Sequence, residues 1–352
     1  MTPYYDDGKG IVIYNGDCRE VMADLADDSI DLICTDPPYF KVKSDWWDRQ
    51  WDKPEAFLAW MGTLCDEWQR VLKPNGSLYC FASPQMAWGV EGEIRKWLNV
   101  LQRIAWRKEE GIHWRQSEGQ LRNWFPQTEN IIFAEQINSD NHALGETDYT
   151  SKCDELRGFV FEPLRAYLDG ERERAGFSVQ QVEEGLTQSD SGRKTGANHW
   201  FAQVQYQLPT RRCYEWLKTF FGEGYLTRDH EDLRREYEDL RREYEDLRRE
   251  YEDLRRPFFA SDKRPYTDVW DFPTVTDYPG KHPCQKPLAM IEHIIETSSK
   301  PGAVVLDCFG GSGVTARASR NFGRSAIVCE IDEKYCEIAA NRLRQGVLDF
   351  GE

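Results

Sequence analysis

No two of the ten cysteines in the 352-residue chain stand in C-x-x-C spacing; they fall at 18, 34, 65, 80, 153, 213, 284, 308, 329 and 336. That scatter argues against a zinc site or a secreted disulfide framework, so reduced thiols packed as small hydrophobes and no bound metal are expected. No apolar run approaches the roughly 18 residues of a membrane span, and the opening MTPYYDDGKG has no signal-peptide core. A cytoplasmic protein without membrane contact is expected. Positive charge is also short: 45 Lys and Arg against 61 Asp and Glu leave a net −16. That balance argues against coating nucleic acid by bulk charge and leaves room only for a local basic surface. What is present is 40% hydrophobic and 30% charged residues, enough for a real core.

Residues 10–135 alternate apolar runs with helical patterns. Strands are predicted at 11–14, 30–34, 77–81, 100–106 and 130–134, and helices at 19–25, 54–72 and 86–98. The turn Lys73-Pro74-Asn75-Gly76 is expected to close the helix before Ser77. From Pro283 the pattern returns, with a helix at 287–298 and strands at 303–306 and 325–329. Such alternation predicts parallel pairing with helices on both faces. The middle is polar and helical, so both ends of the chain are expected to build one sheet around an insertion. The expected divisions are 1–135 and 266–352 as two halves of one α/β domain, and 136–265 as a helical insertion.

Two segments carry chemistry. The first is Asp307-Cys308-Phe309-Gly310-Gly311-Ser312-Gly313, a strand running through a glycine turn into a helix. Glycines let a ligand approach the helix N-terminus, and Glu330, at the tip of the next strand, is placed to accept ribose hydroxyls. Gly313-Val314-Thr315 lacks the lysine of a P-loop, and Gly311-x-Gly313-x-x-Ala316 is a weak dinucleotide match. Asp307 would repel a pyrophosphate but would accept from an ammonium, which favours S-adenosylmethionine. The second segment is Asp36-Pro37-Pro38-Tyr39, after a strand. Its plain reading is a proline turn. Its chemical reading is that Asp36 and a carbonyl near Pro37 accept the N–H hydrogens of an exocyclic base amine. That would draw the nitrogen towards sp³ and free its lone pair, while Tyr39 stacks on the base.

Both motifs, in this order, resemble the β-group DNA amino-methyltransferases, over roughly 10–135 and 265–345. The pattern is similar to adenine methyltransferases carried by bacteriophages and prophages. The resemblance implies a circularly permuted, Rossmann-like methyltransferase sheet with a helical target-recognition insertion, DNA as partner and base flipping. It implies that Asp36, Pro37, Pro38 and Tyr39 are catalytic. Lys281-His282-Pro283-Cys284-Gln285-Lys286-Pro287 matches the family's H-P-x-Q-K-P box, which places His282, Gln285 and Lys286 at the methionine end of the cofactor. Asp17 of Asn15-Gly16-Asp17 would meet the cofactor adenine, and Asp307, Phe309, Gly310, Gly311, Ser312, Gly313 and Glu330 would line its site. Asp268-Val269-Trp270 and Phe125-Pro126-x-Thr128-Glu129 also resemble family segments, without assigned roles. Asp at the first motif position goes mostly with N6-adenine in this family. N4-cytosine, a non-catalytic DNA-binding protein on the same fold, and methylation of free nucleotides or protein glutamine are the alternatives.

DNA contacts are expected in two places. The aromatic loop after Tyr39, with Lys41 and Lys43, either closes over a flipped base or packs on its own domain. Residues 162–220 resemble a helix-turn-helix with an over-long connection, or are a plain packing insert. Arg193, Lys194, Arg211, Arg212 and Lys218 face a single acid, Glu215, across 191–220, and His199 lies among them. Finally, EDLRREY repeats without change from Glu231, and a partial copy ends at Arg256. Leucines and tyrosines alternate at spacings of four and three, a heptad seam over 231–256 about 39 Å long. The seam lies on its own domain, pairs in a homodimer, or runs along DNA; the catalytic domain is the other candidate dimer surface.

Overall fold

The computed structural model describes all residues except 109–123, 125–126, 138–148, 189–195, 260–266, 277–281 and 346–352. The chain divides into two compact units, Met1–Leu144 with Arg256–Glu352, and Gly145–Arg255. The unit boundaries thus fall inside the expected 136–265 span.

The first unit is built on one sheet of nine described strands. These are β1 (Tyr5–Asp6), β2 (Ile11–Asn15), β3 (Ile30–Thr35), β4 (Leu72–Ala82), β5 (Leu98–Arg107), β6 (Thr128–Gln136), β7 (Val269–Asp271), β8 (Val304–Asp307) and β9 (Ser325–Glu330). Their order is β1-β2-β9-β8-β3-β4-β6-β5-β7. Strands from the two ends of the chain therefore lie side by side. β2, β9, β8, β3 and β4 are mutually parallel. The expectation of parallel pairing throughout does not hold at β6, which runs antiparallel to both β4 and β5. β5 and β6 pair antiparallel from Arg107↔Thr128 to Leu98↔Gln136, a pairing that does not require a crossover helix. A buried apolar run reads the same in either direction, so periodicity could not reveal the sense. The Lys73–Gly76 segment is not a free turn either: it continues β4, with a register shift opposite Ile30 and Leu32.

Helices α1 (Cys18–Ala23), α2 (Pro54–Val71) and α3 (Ala87–Ile94) contribute Met22, Met61, Leu64, Trp68 and Val90 to one core cluster, together with Ile30 and Ile33 of β3. The next described helix of this unit, which we call α9 (Leu288–Ser298), sends Met290, Ile291, Ile294 and Ile295 into a second cluster, with Leu32 and Cys34. β3 is thus buried on both faces, as a central parallel strand must be. α10 (Val314–Asn321) follows β8, and α11 (Glu333–Arg344) packs Cys336, Ala339 and Leu343 on β2 and β9. The path from β3 goes outward to β4, while the path from β8 goes the opposite way to β9. Loops leaving the carboxyl ends of β3 and β8 therefore diverge and open a crevice there.

The second unit has five described helices, α4 (Tyr149–Val160), α5 (Glu162–Arg174), α6 (Val179–Gln188), α7 (Arg211–Phe221) and α8 (His230–Leu254). Ser178 caps α6 in a capping box: its Oγ accepts from the Gln181 N–H at 3.2 Å, and its own N–H reaches Gln181 Oε1 at 2.8 Å. The heptad seam packs inside this unit from Leu233 to Leu247, and Leu254 at its end is exposed. Leu233 and Tyr244 are buried in its core, and Tyr237, Leu240 and Leu247 pack against the same cluster. Phe161 meets Tyr237 and Tyr244 at ring-centroid distances of 5.1 and 6.1 Å. After α6 the next described element is a 3-10 turn, Asn198–Trp200, and α7 begins only at Arg211. The connection from α6 to α7 is therefore long, whereas α5 and α6 are joined by the four residues 175–178, with Gly176 at φ +79°.

Candidate active site

The crevice at the ends of β3 and β8 encloses about 1190 Å³, mouth included, and lies within the first unit. β3 delivers Asp36-Pro37-Pro38-Tyr39 to one wall, and β8 delivers Asp307 and the glycine loop to the other. The Cys308 N–H donates to Thr35 Oγ1 at 3.2 Å, which ties the two loops at their roots.

The loop geometry explains its glycines. Gly313 sits at φ +74°, and a Cβ there would lie 2.6 Å from Ala339 Cβ on α11. Gly310 would meet Val328 in the same way, so the turn lies flat against β9 and α11. Glu330 closes the loop. Its Oε2 accepts the Gly311 N–H at 2.7 Å and its Oε1 the Asp332 N–H at 2.8 Å. Each oxygen keeps a second acceptor site. Burial raises Glu330 above the ordinary carboxylate range against these two amides. Asp307 is more strongly affected: burial lifts it to about 7, Thr315 and the Phe309 N–H oppose the rise, and Asp36 and Glu330 add to it. Neither acid has a basic partner among the described residues. Two buried carboxylates without counter-ions, one anchored by two amides, fit a ligand that is cationic and carries a diol, as S-adenosylmethionine does.

The other cofactor candidates fall into three groups. Gln285 Oε1 accepts from Ser312 Oγ at 2.7 Å and from Arg342 at 3.1 Å, which joins the loop before α9 to the glycine turn. The His282 ring packs within 3.2 Å of where a Gly311 Cβ would stand, and is held between Trp47 and Tyr335. Burial, then the nearby Lys286 charge, lowers it to about 4, so it is neutral near pH 7. Asp17 lines the crevice but caps α1 through the Arg19 N–H and pairs with the Arg19 guanidinium at 2.6 Å. Lys286 is where the structure departs most from the sequence reading. Its ammonium is not left open for a ligand carboxylate; it donates to Asp36 Oδ2 at 2.5 Å and to the Tyr39 hydroxyl at 3.0 Å.

That contact brings in a residue to which sequence reasoning assigned no role. Glu129, at the start of β6, accepts from the Tyr39 hydroxyl at 2.9 Å, lies 3.4 Å from Lys286 Nζ, and pairs with Lys108. Burial would raise its carboxyl, yet Lys286 and Lys108 hold it down to about 2. Burial pushes Asp36 upward while Lys286 pulls it down, and the net shift is upward. One Asp36 oxygen is committed to Lys286. The other, Oδ1, is buried with no hydrogen-bond partner among the described residues. A buried acceptor without a donor carries a penalty that a substrate N–H would relieve.

Asp48 is the second residue not foreseen. It is fully buried, and its carboxylate accepts the Tyr39 N–H at 2.6 Å and the Lys43 N–H at 2.5 Å. It pins the loop after Tyr39, where Phe40 and Lys41 both take positive φ, +60° and +61°. Of the aromatic loop, Trp51 packs on Phe57 and Trp60, whereas Trp47 and Lys43 line the crevice and Trp46 is exposed. Lys41 donates to the Asp52 carbonyl at 2.7 Å. In the second unit Arg211 and Arg212 are exposed and His199 is half-buried. Arg193 and Lys194 lie outside the described residues, as do Phe125, Pro126 and Lys281. Among the described residues no helix is long and apolar enough to cross a membrane, and no cluster of His, Cys, Asp or Glu could hold a metal.

Comparison with known proteins agrees with this architecture. The N6/N4 methyltransferase family model, described as a DNA methylase, matches residues 30–341. DNA adenine methyltransferase YhdJ of Escherichia coli K12 is 24% identical over 97% of this chain and 85% of its own length. Type II methyltransferase M.BamHI of Bacillus amyloliquefaciens is 25% identical over 98% of this chain and 59% of its own. The structure of PvuII DNA methyltransferase, cytosine-N4-specific, is 12% identical, covers 97% of this chain and 88% of that one, and aligns with a TM-score of 0.50, a likeness of fold. With the match running from β3 into α11 and so through both walls of the crevice, the protein belongs to the N6/N4 DNA methylase family.

Proposed function

We propose that this protein transfers a methyl group from S-adenosylmethionine to the N6 amine of adenine in DNA, with the base turned out of the helix into the crevice. The observation that carries the reading is Asp36 Oδ1, a buried, unpartnered acceptor in the same crevice as Asp307 and Glu330. S-adenosylmethionine, when bound, supplies an electrophilic methyl group and a positive charge. Asp307 faces that charge, and Glu330 offers its remaining acceptor sites to hydroxyls. Asp36 Oδ1 and the Pro37 carbonyl accept the two amine N–H hydrogens, which draws the nitrogen lone pair out of the ring. Tyr39, tethered by Glu129 and Lys286 at its hydroxyl, presents a fixed ring for stacking. The gain comes from positioning and from acceptors already oriented, with no covalent adduct to the chain. Adenine is favoured over cytosine by Asp at the head of Asp-Pro-Pro-Tyr and by the E. coli relative's name.

The DNA contacts remain with Lys41 and Lys43 beside the crevice and with Arg193, Lys194, His199, Arg211 and Arg212 in the helical insertion. The test is incubation of purified protein with DNA and labelled S-adenosylmethionine, then mass spectrometry of the nucleosides and single-molecule sequencing. N6-methyladenine is expected. N4-methylcytosine would overturn the base assignment, and no methylated nucleoside would overturn the methyl-transfer reading.

A further inference from the structure

The Lys286 ammonium is buried and held from several sides at once. It touches Asp36 at 2.5 Å and the Tyr39 hydroxyl at 3.0 Å, with Glu129 at 3.4 Å, and it lies 5.0 Å from the ring centroids of both Tyr39 and Phe81. Behind it, Lys108 neutralises the far oxygen of Glu129. Two carboxylates and two ammonium groups thus sum to zero charge in a site where one unpaired charge would be costly.

We infer that Lys286 is a positioning residue for Asp36 and that Glu129 is the counter-charge that keeps it there. The inference rests on the methyl-transfer reading above. The two oxygens of a carboxylate are equivalent until something binds one of them. Lys286 takes Oδ2, and Oδ1 is then the one left to accept the substrate N–H. A long ammonium side chain with Asp36 as its sole partner could swing to any anionic ligand group entering the crevice. Glu129, the Tyr39 hydroxyl and the two rings oppose that swing. The charge also opposes the upward push that burial gives the Asp36 carboxyl, and so favours the ionised form, in which both oxygens are free to accept. Around Asp36 the titratable groups are Lys286 and Cys284 from the loop before α9, Glu129 from β6, Tyr39 from its own loop, Asp307 from β8, Cys34 from β3 and Cys80 from β4.

The test compares Lys286→Met, Glu129→Gln and the double variant. Single-turnover methyl transfer is followed at saturating S-adenosylmethionine across pH, and donor affinity is measured separately by tryptophan fluorescence. Lys286→Met is expected to slow transfer by about 100-fold with donor affinity within about threefold of the parent. The acid limb of its rate profile moves to higher pH, because Asp36 then faces Glu129 without an intervening cation. The double variant is expected to recover about fivefold of that loss, since it removes the remaining repulsion. Donor affinity reduced tenfold with the saturated rate intact would overturn the inference and return Lys286 to the cofactor. Strictly multiplicative losses in the double variant would also overturn it. Should Lys286→Met fail to fold, Glu129→Gln decides alone: about tenfold slower transfer with unchanged donor affinity supports the inference, and an unchanged rate sinks it. A parent protein that methylates nothing removes the functional reading first, which separates the two failures.

Discussion

Replacing Asp36 by alanine removes the acceptor on which the proposed chemistry depends. Loss of one oriented hydrogen-bonding group in a water-poor site typically costs about 10²–10³ in rate, or roughly 3–4 kcal/mol of transition-state stabilisation. The structure also sets a stability cost. Lys286 loses its 2.5 Å partner but keeps the Tyr39 hydroxyl and Glu129, so it is not stranded. The penalty should therefore fall below the roughly 3–5 kcal/mol of a fully broken buried pair, at about 1–3 kcal/mol. For a unit of this size that lowers Tm by about 2–4 °C per kcal/mol. Asp307 and Glu330, assigned to the donor, are untouched, so donor affinity should stay within about threefold. The assay is single-turnover transfer at saturating donor, with calorimetry on the same sample. Transfer within tenfold of the parent would refute the acceptor role. A large loss of donor affinity would instead make Asp36 part of the cofactor site.

Asp307 gives a pH prediction. Its folded-state value of about 7 lies above the ordinary 3.8, so the folded protein holds an extra proton between those limits. The stability tied to that proton is present at about pH 4 and is lost as pH rises through about 7. Donor binding should run the other way, strengthening by about tenfold from pH 5.5 to 7.5 in titration calorimetry as Asp307 ionises. Asp307→Asn should flatten that dependence. Gly313→Ala must place a methyl 2.6 Å from Ala339 Cβ at φ +74°, so a loss of at least about 2 kcal/mol and weaker donor binding are expected in melting and titration experiments. Leu233→Asp puts a charge into the core of the helical unit, which should lower Tm with the sedimentation coefficient unchanged below the transition. A fall in apparent mass in that experiment would restore a dimeric role for the heptad seam.

The amino-acid order alone carried the two walls of the crevice. Asp-Pro-Pro-Tyr and Asp-Cys-Phe-Gly-Gly-Ser-Gly are local signals: a strand end, a proline that sets φ, glycines where a Cβ would collide. Each can be read within a dozen residues. The alternation of strands and helices likewise located β2, β3, β8 and β9 to within a residue or two, because parallel central strands are short, apolar and bounded by turns. The heptad spacing foretold α8 but not the surface against which it packs, since a stripe of Leu and Tyr fits a neighbouring helix of its own unit as well as a second chain.

Only the tertiary structure decided the rest. The antiparallel sense of β6 and the capture of Lys286 by Asp36 join residues far apart in the chain, and the burial that turns the Asp48 carboxylate inward onto two nearby backbone amides comes from the surrounding fold. Lys286 lies 250 positions from Asp36, and Glu129 lies 90 from Tyr39. A sequence motif records which side chains a segment offers. It does not record which charges burial will force together, because desolvation penalties and ion pairing are set by the neighbours that the completed fold supplies.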